Sequence, residues 1–70
     1  MKTRFEVIGN YGVPIANLDL SLEDDVFDCR VPTSETLYDT LEASCRYIAS
    51  EPGCVGVTLT NGWTVQLLED

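Results

Sequence analysis

Apolar and polar residues alternate along three stretches in the first half of the chain, with the period of two that is typical of half-buried β-strands. In the first stretch, Phe5 and Val7 alternate with Arg4 and Glu6. The stretches are residues 3–8, 15–22 and 26–31. They are separated by a glycine-rich segment and an acidic segment, residues 9–14 and 23–25. The pattern therefore predicts three strands joined by short connections.

A helical period replaces the alternation after these strands. One apolar stripe recurs at spacings of four, four and three, formed by Leu37, Leu41, Cys45 and Ile48. The segment Pro32-Thr33-Ser34-Glu35 is a helix-start signal, because a hydroxyl there can accept from free amides of the first turn and the acid suits the positive end of the helix dipole. Because Pro52 and Gly53 follow, we expect a helix over residues 34–50. Glu42 and Arg46 should form an i,i+4 ion pair on it.

The C-terminal part contains a turn signal whose usual geometry disagrees with the side-chain pattern. The dipeptide Asn61-Gly62 most often forms a two-residue hairpin loop between strands, here residues 54–60 and 63–68. That loop would put the apolar side chains of the two strands on opposite faces. A three-residue loop over 60–62, with Gly62 left-handed in a bulge, puts them on one face. We therefore expect three cross-strand pairs: Leu59 with Trp63, Val57 with Val65 and Val55 with Leu67.

These elements predict one α+β domain over residues 1–70, in the order β-β-β-α-β-β. The expected architecture is an antiparallel or mixed sheet with one helix packed on one face. A chain of 70 residues has room for one hydrophobic core. The expected core consists of Phe5, Val7, Leu18, Leu20, Phe27, Cys29, Leu37, Leu41, Cys45, Ile48, Val55, Val57, Leu59, Val65 and Leu67, with Trp63 at one edge.

The composition argues against catalytic and metal-binding chemistry. Histidine, the commonest general base and metal ligand, is absent. The pattern places Cys29 and Cys45 in the core and Cys54 at a strand start, and three cysteines without a C-x-x-C spacing suggest a reducing compartment. Apolar runs stay shorter than the roughly 18–20 residues of a membrane span, and Glu6 precedes any apolar segment that would resemble a signal peptide. We expect a cytoplasmic protein that is not an enzyme and holds no cofactor or metal.

Acidic residues dominate the charge of the chain. Its 12 Asp and Glu residues against 4 Lys and Arg give a net charge of −8. This charge repels nucleic acid and anionic membranes and favours a basic protein as the partner. No Lys or Arg occurs between Phe5 and Cys29, a stretch that contains Glu6, Asp19, Glu23, Asp24, Asp25 and Asp28.

On the predicted strands, Glu6, Asp19 and Asp28 project from the face opposite the helix, next to the acidic segment 23–25. One hypothesis is a negative patch that binds the partner, with Tyr11 and Tyr47 as aromatic anchors. The alternative is an ordinary solvated face of an antiparallel sheet.

In size, acidity and lack of catalytic residues, the whole chain resembles the small inhibitors that bacteriophages and mobile elements use against host defences, including anti-CRISPR and anti-restriction proteins. The resemblance is compositional and transfers no residue. It implies an inhibitor that blocks a basic, nucleic-acid-binding surface by imitating the phosphates of DNA. The alternative is a structural or assembly protein, in which an edge strand or the helix flank pairs with a second copy to form a homodimer or a larger homo-oligomer. Salt should weaken the first kind of complex and spare the second.

Overall fold

The computed structural model describes residues 2–31 and 33–68. Its elements are β1 (Lys2–Ile8), β2 (Pro14–Ser21), β3 (Val26–Cys29), α1 (Glu35–Ser50), β4 (Gly56–Thr58) and β5 (Thr64–Leu67). The strands form one antiparallel sheet in the order β3-β2-β1-β5-β4. The predicted α+β fold, with the order β-β-β-α-β-β and one helix, is therefore confirmed.

The core lies between α1 and one face of the sheet. Phe5 on β1 pairs with Leu18 on β2 and with Leu67 on β5, so the period of two brings apolar residues of three strands onto one face. The buried apolar residues are Phe5, Val7, Leu18, Leu20, Phe27, Leu41, Cys45, Ile48, Leu59 and Val65. Four further residues of the expected core pack against it while partly buried: Cys29, Leu37, Val57 and Leu67. Trp63 does the same.

Val55, a residue of the expected core, and Leu22, which alternates with Leu18 and Leu20 in the predicted strand 15–22, are exposed. Val55 is 63% exposed because it precedes β4, and it joins the sheet only through its carbonyl, which accepts from the Leu67 amide. Leu22 is exposed because β2 ends at Ser21 and the chain turns there toward β3. The predicted second strand was therefore one residue too long at its end, and Val55 is wrong as a core residue.

The helix begins and ends close to its predicted bounds. Ser34 is the N-cap, and its hydroxyl accepts from the Leu37 amide at 3.2 Å. The Tyr38 hydroxyl donates to the Phe27 carbonyl at 3.2 Å, and the two rings meet edge to face with centroids 5.3 Å apart. These contacts fix α1 against edge strand β3. Within the described residues, no helix is long and apolar enough to cross a bilayer.

The β4–β5 hairpin has the bulged geometry that the side-chain pattern predicted. Val57 pairs with Val65, and the Leu59 amide donates to the Trp63 carbonyl at 2.7 Å. Gly62 has a φ of +94°, a left-handed conformation that glycine adopts without a side-chain clash. The predicted three-residue loop is thus confirmed.

Candidate protein-binding surface

The sheet face opposite α1, which we term the open face, carries the acidic residues of the strands. Arg4, Asp19 and Asp28 lie side by side across β1, β2 and β3. Glu6 lies two positions further along β1, between Asn17 and Gln66. The structure therefore places Glu6, Asp19 and Asp28 on one face, as the alternation predicted.

Arginine side chains lie among these carboxylates. The buried Asp19, only 8% exposed, has Oδ1 at 3.6 Å from Arg4 Nε and Oδ2 at 3.9 Å from Arg30 Nη2. Arg30 Nε lies 3.5 Å from the Asp28 carboxylate. Arg4 and Arg30 lie just outside the segment from Phe5 to Cys29, which contains no Lys or Arg. In the folded chain their side chains lie next to carboxylates of that segment. The strand part of the open face is consequently a mixed-charge surface and not the negative patch that the sequence suggested.

The turn from β2 to β3 contains the remaining predicted acids and is tied to its surroundings. The Ser21 hydroxyl donates to the Asp24 carboxylate at 3.3 Å. Arg46 on α1 donates to Asp25 at 2.7 Å and to Glu42 at 2.9 Å. These hydrogen bonds raise the pKa of Arg46, and the one that Asp25 accepts has the largest effect. Glu23 is exposed in the same turn. We refer to Glu23, Asp24 and Asp25 as the acidic turn.

Some of the predicted acids meet at one place on the surface. Asp19, Asp24 and Asp28 border one shallow depression on the open face. Its other lining residues are Lys2, Ser21, Val26 and Phe27. Across residues 2–31 and 33–68, no group of three or more Cys, Asp or Glu side chains is arranged to hold a metal ion.

Tyr11 lies at the opposite end of the sheet on an uncharged, apolar surface. Its side chain is 97% exposed at the tip of the loop that joins β1 to β2. The loop is closed by hydrogen bonds from the Gly9 amide to the Val13 carbonyl and from the Gly12 amide to the Gly9 carbonyl. Tyr11 borders a groove with Gly9, Asn10, Val13, Ile15 and Trp63. We call this surface the Tyr11 end.

Sequence reasoning found Tyr11 but missed its apolar neighbours. Val13 and Ile15 are exposed, although the alternation placed Ile15 at the start of a half-buried strand. The register shifts by one residue near Val7 and Ile8, so that Ile8 faces Pro14 and the regular alternation of β2 begins only at Ala16. A proline at the start of the strand was the available signal, since proline is confined to strand ends, edges and bulges.

Tyr47 lies on a third surface, away from both the acidic turn and the Tyr11 end. It is 54% exposed on the flank of α1 that faces β4. It lines a groove with Thr40, Ala43, Ser44 and Val57. The residues predicted to bind a partner are therefore divided among three surfaces, and only the acids lie close together.

The three cysteines are free thiols that lie in the hydrophobic core or pack against it. Cys45 is fully buried, and burial, with smaller effects of Cys29 and Glu42, raises its pKa to about 12. A thiol with that pKa stays protonated and unreactive at neutral pH. Cys29 and Cys54 are partly buried, and their Sγ atoms lie 3.7 Å and 3.6 Å from the carbonyls of Val31 and Gly56.

No protein-family model, curated protein or solved structure matches the chain. Its function is therefore inferred from its own surfaces.

Proposed function

We propose that the protein is a non-enzymatic protein-binding module that covers a basic, nucleic-acid-binding surface of a partner protein. In this it would act in the manner of the phage anti-CRISPR and anti-restriction inhibitors that its composition resembles. The observation that carries the proposal is Tyr11, the most exposed large apolar side chain in the described chain, presented at the tip of a loop closed by its own backbone.

The Tyr11 end has the properties of a binding anchor. Tyr11, Val13 and Ile15 expose apolar surface next to the partly buried Trp63. Contiguous exposed apolar patches on small proteins commonly mark interaction sites. Aromatic side chains, above all Trp and Tyr, supply much of the binding energy at such sites when a partner covers them.

Charge supports a basic partner. The net charge is −8, and Arg4, Arg30 and Arg46 each already lie within ion-pair distance of a carboxylate. The field of the molecule is therefore negative, which raises the encounter rate with a positively charged surface. In the proposed complex the acidic turn faces the basic groups that would otherwise hold phosphates. The mixed-charge centre of the open face would attract the basic partner only weakly, because its carboxylates lie beside Arg4 and Arg30, and it would contribute mainly shape complementarity to the interface.

Two further observations fit a cytoplasmic protein without catalytic activity. Free thiols at Cys29, Cys45 and Cys54 suit a reducing compartment. The sequence contains no histidine, and the raised pKa of Cys45 removes the most buried thiol as a nucleophile.

Affinity capture tests the proposal. The immobilised protein is incubated with bacterial lysate and washed at about 0.1 M salt, and bound proteins are released either with about 0.5 M salt or with an excess of duplex DNA. We expect a basic nucleic-acid-binding protein to be released by both. Tyr11→Ser should reduce its retention by at least about tenfold, the scale of a hot-spot truncation.

Charge reversal at two exposed positions provides the matched control. Asp24→Lys changes the acidic turn, and Asp39→Lys makes the same change in net charge on the exposed surface of α1. Retention should fall further for Asp24→Lys than for Asp39→Lys. Release by salt but not by duplex DNA, or retention unaffected by Tyr11→Ser, would contradict the proposal.

A further inference from the structure

We propose that strand β4 pairs with β4 of a second copy of this chain, joining two sheets into one antiparallel sheet. The inference does not depend on the proposed function. It assigns an occupant to the edge of the sheet that lies next to the Tyr47 groove.

The hydrogen-bond pattern of the hairpin shows which backbone groups of β4 are available. The Leu67 amide donates to the Val55 carbonyl, and the Leu59 amide donates to the Trp63 carbonyl. In an antiparallel ladder, hydrogen-bonded pairs alternate with pairs that are not bonded to each other. Gly56 and Thr58 therefore belong to the second kind, and their amides and carbonyls point away from β5. Both residues are exposed.

The two edges of the sheet differ in how they are protected. Edge strand β3 carries Asp28, is followed by Arg30, and has the Phe27 carbonyl occupied by the Tyr38 hydroxyl. Charged side chains and covering groups of this kind prevent strands from pairing at an edge. Edge strand β4 carries no charged side chain, and the group that contacts its outward side is the Cys54 thiol, a weak donor with Sγ 3.6 Å from the Gly56 carbonyl. Its sequence, Gly-Val-Thr, contains no charge and no proline.

The chemistry of the β4 side fits a copy of itself. From Tyr47 to Leu68 the only charged residue is Glu51, so this side offers little for a basic partner to recognise. A two-fold axis through Val57 would pair Gly56 of each copy with Thr58 of the other and satisfy all the outward amides and carbonyls of both strands. Antiparallel pairing also carries the two Glu51 side chains to opposite ends of the interface.

The same axis brings the two Tyr47 grooves together. Val57 lines this groove in each copy, and side chains directly opposite in an antiparallel pair lie about 4.5–5.5 Å apart. The exposed Tyr47 and Ala43 flank Val57 on α1. Strand pairing would therefore cover apolar side chains that the single chain leaves open to water.

Sedimentation equilibrium of the full chain, at protein concentrations from about 10 µM to about 500 µM and at about 0.1 M and about 0.5 M salt, tests the pairing. We expect a monomer–dimer equilibrium that strengthens as salt rises, because salt screens the repulsion between two chains of net charge −8. Thr58→Pro should weaken association about thirtyfold, since it deletes one outward amide in each copy and so two interface hydrogen bonds.

Thr58→Val is the matched control, because it keeps the amide and should leave association within about threefold of the original. Thermal unfolding verifies that both variants are folded. In amide exchange followed by NMR, Gly56 and Thr58 should gain protection with concentration while residues of β3 do not. A monomer at every concentration and salt, a dimer that dissociates as salt rises, or association equal in Thr58→Pro and Thr58→Val would each overturn the proposal.

Discussion

Cys45 links the core to the pH dependence of stability. The thiol is fully buried, and burial raises its pKa from 9.0 to about 12. In the unfolded chain the thiol loses its proton above about pH 9, whereas in the folded chain it keeps it until about pH 12. The stability that protonated Cys45 contributes is therefore complete below pH 9 and is lost progressively as the pH rises from 9 toward 12.

Alkaline unfolding tests this linkage. Between pH 7 and pH 10, the free energy of unfolding should fall by about 1 kcal/mol more in the original protein than in Cys45→Val, which has a similar volume and no proton to lose. Urea titrations at both pH values measure the difference. Equal losses in the two proteins would mean that Cys45 is not desolvated as the structure has it.

Residue identities predicted the faces of the strands better than they predicted the electrostatics. The alternation around Asp19 and Asp28 correctly placed both on the open face, because side-chain direction in a strand follows position alone. Their ion pairs with Arg4 and Arg30 depend on which strands are neighbours and on the path of the chain after β3. That information is tertiary, so the count of charges along the sequence overstated the negative charge of this face.

The helix illustrates how a local signal specifies an element. Ser34 caps α1 through its hydroxyl, which accepts from the Leu37 amide, and Glu35 lies in the first turn. The cap satisfies an amide that has no partner within the helix. The helix that begins at this cap carries Tyr38, which contacts Phe27 on β3.

Substitution of the cap tests its contribution. Ser34→Ala should lower the free energy of unfolding by about 1 kcal/mol, because the Leu37 amide loses its acceptor. Ser34→Asp should retain most of the stability, since aspartate caps as well as serine and its charge suits the helix dipole. Urea unfolding measures both variants. Equal destabilisation by alanine and aspartate would show that the side chain does not act as a cap.

Local patterns also account for the hairpin but leave the arrangement of the sheet open. The register of β4 and β5 followed from requiring their apolar residues on one face, which a slip of one residue would destroy. Strand order did not follow, because β1 has two neighbours and its sequence alone does not select them. The identity of the edge strands, on which the pairing of two copies depends, could be read only from the folded chain.

At the scale of the whole molecule, charge is distributed unevenly. Arg4, Arg30 and Arg46 all engage carboxylates on or beside the β2–β3 side of the sheet. Among the described residues from Tyr47 to Leu68, which form the β4 side, Glu51 is the only charged one, and no charged residue lines the groove at the Tyr11 end. The eight predicted binding residues captured this uneven distribution only in part. The sequence identified the acids and the exposed tyrosines, but it did not show that they lie on three separate surfaces.

The excess of acids should make stability depend on salt. Raising the salt from about 0.02 M to about 0.3 M should raise the thermal midpoint by a few degrees, because screening relieves the self-repulsion of a chain of charge −8 more than it weakens the few arginine pairs. Thr58→Pro is used throughout at low protein concentration, so that self-association contributes little. Adding Asp39→Lys, which makes the net charge less negative by two, should reduce the increase of the thermal midpoint with salt. A midpoint that falls with salt would show that the ion pairs dominate.

The hydrogen bond from the Tyr38 hydroxyl to the Phe27 carbonyl has a consequence for how far assembly proceeds. A sheet with two open edges could add copies at both and grow into a filament. In this fold β3 is covered by Tyr38 and flanked by charge, so a pair joined through β4 presents only its two closed β3 edges to the solvent. If copies pair through β4 as proposed, the Tyr38–Phe27 contact would therefore limit the assembly to two copies.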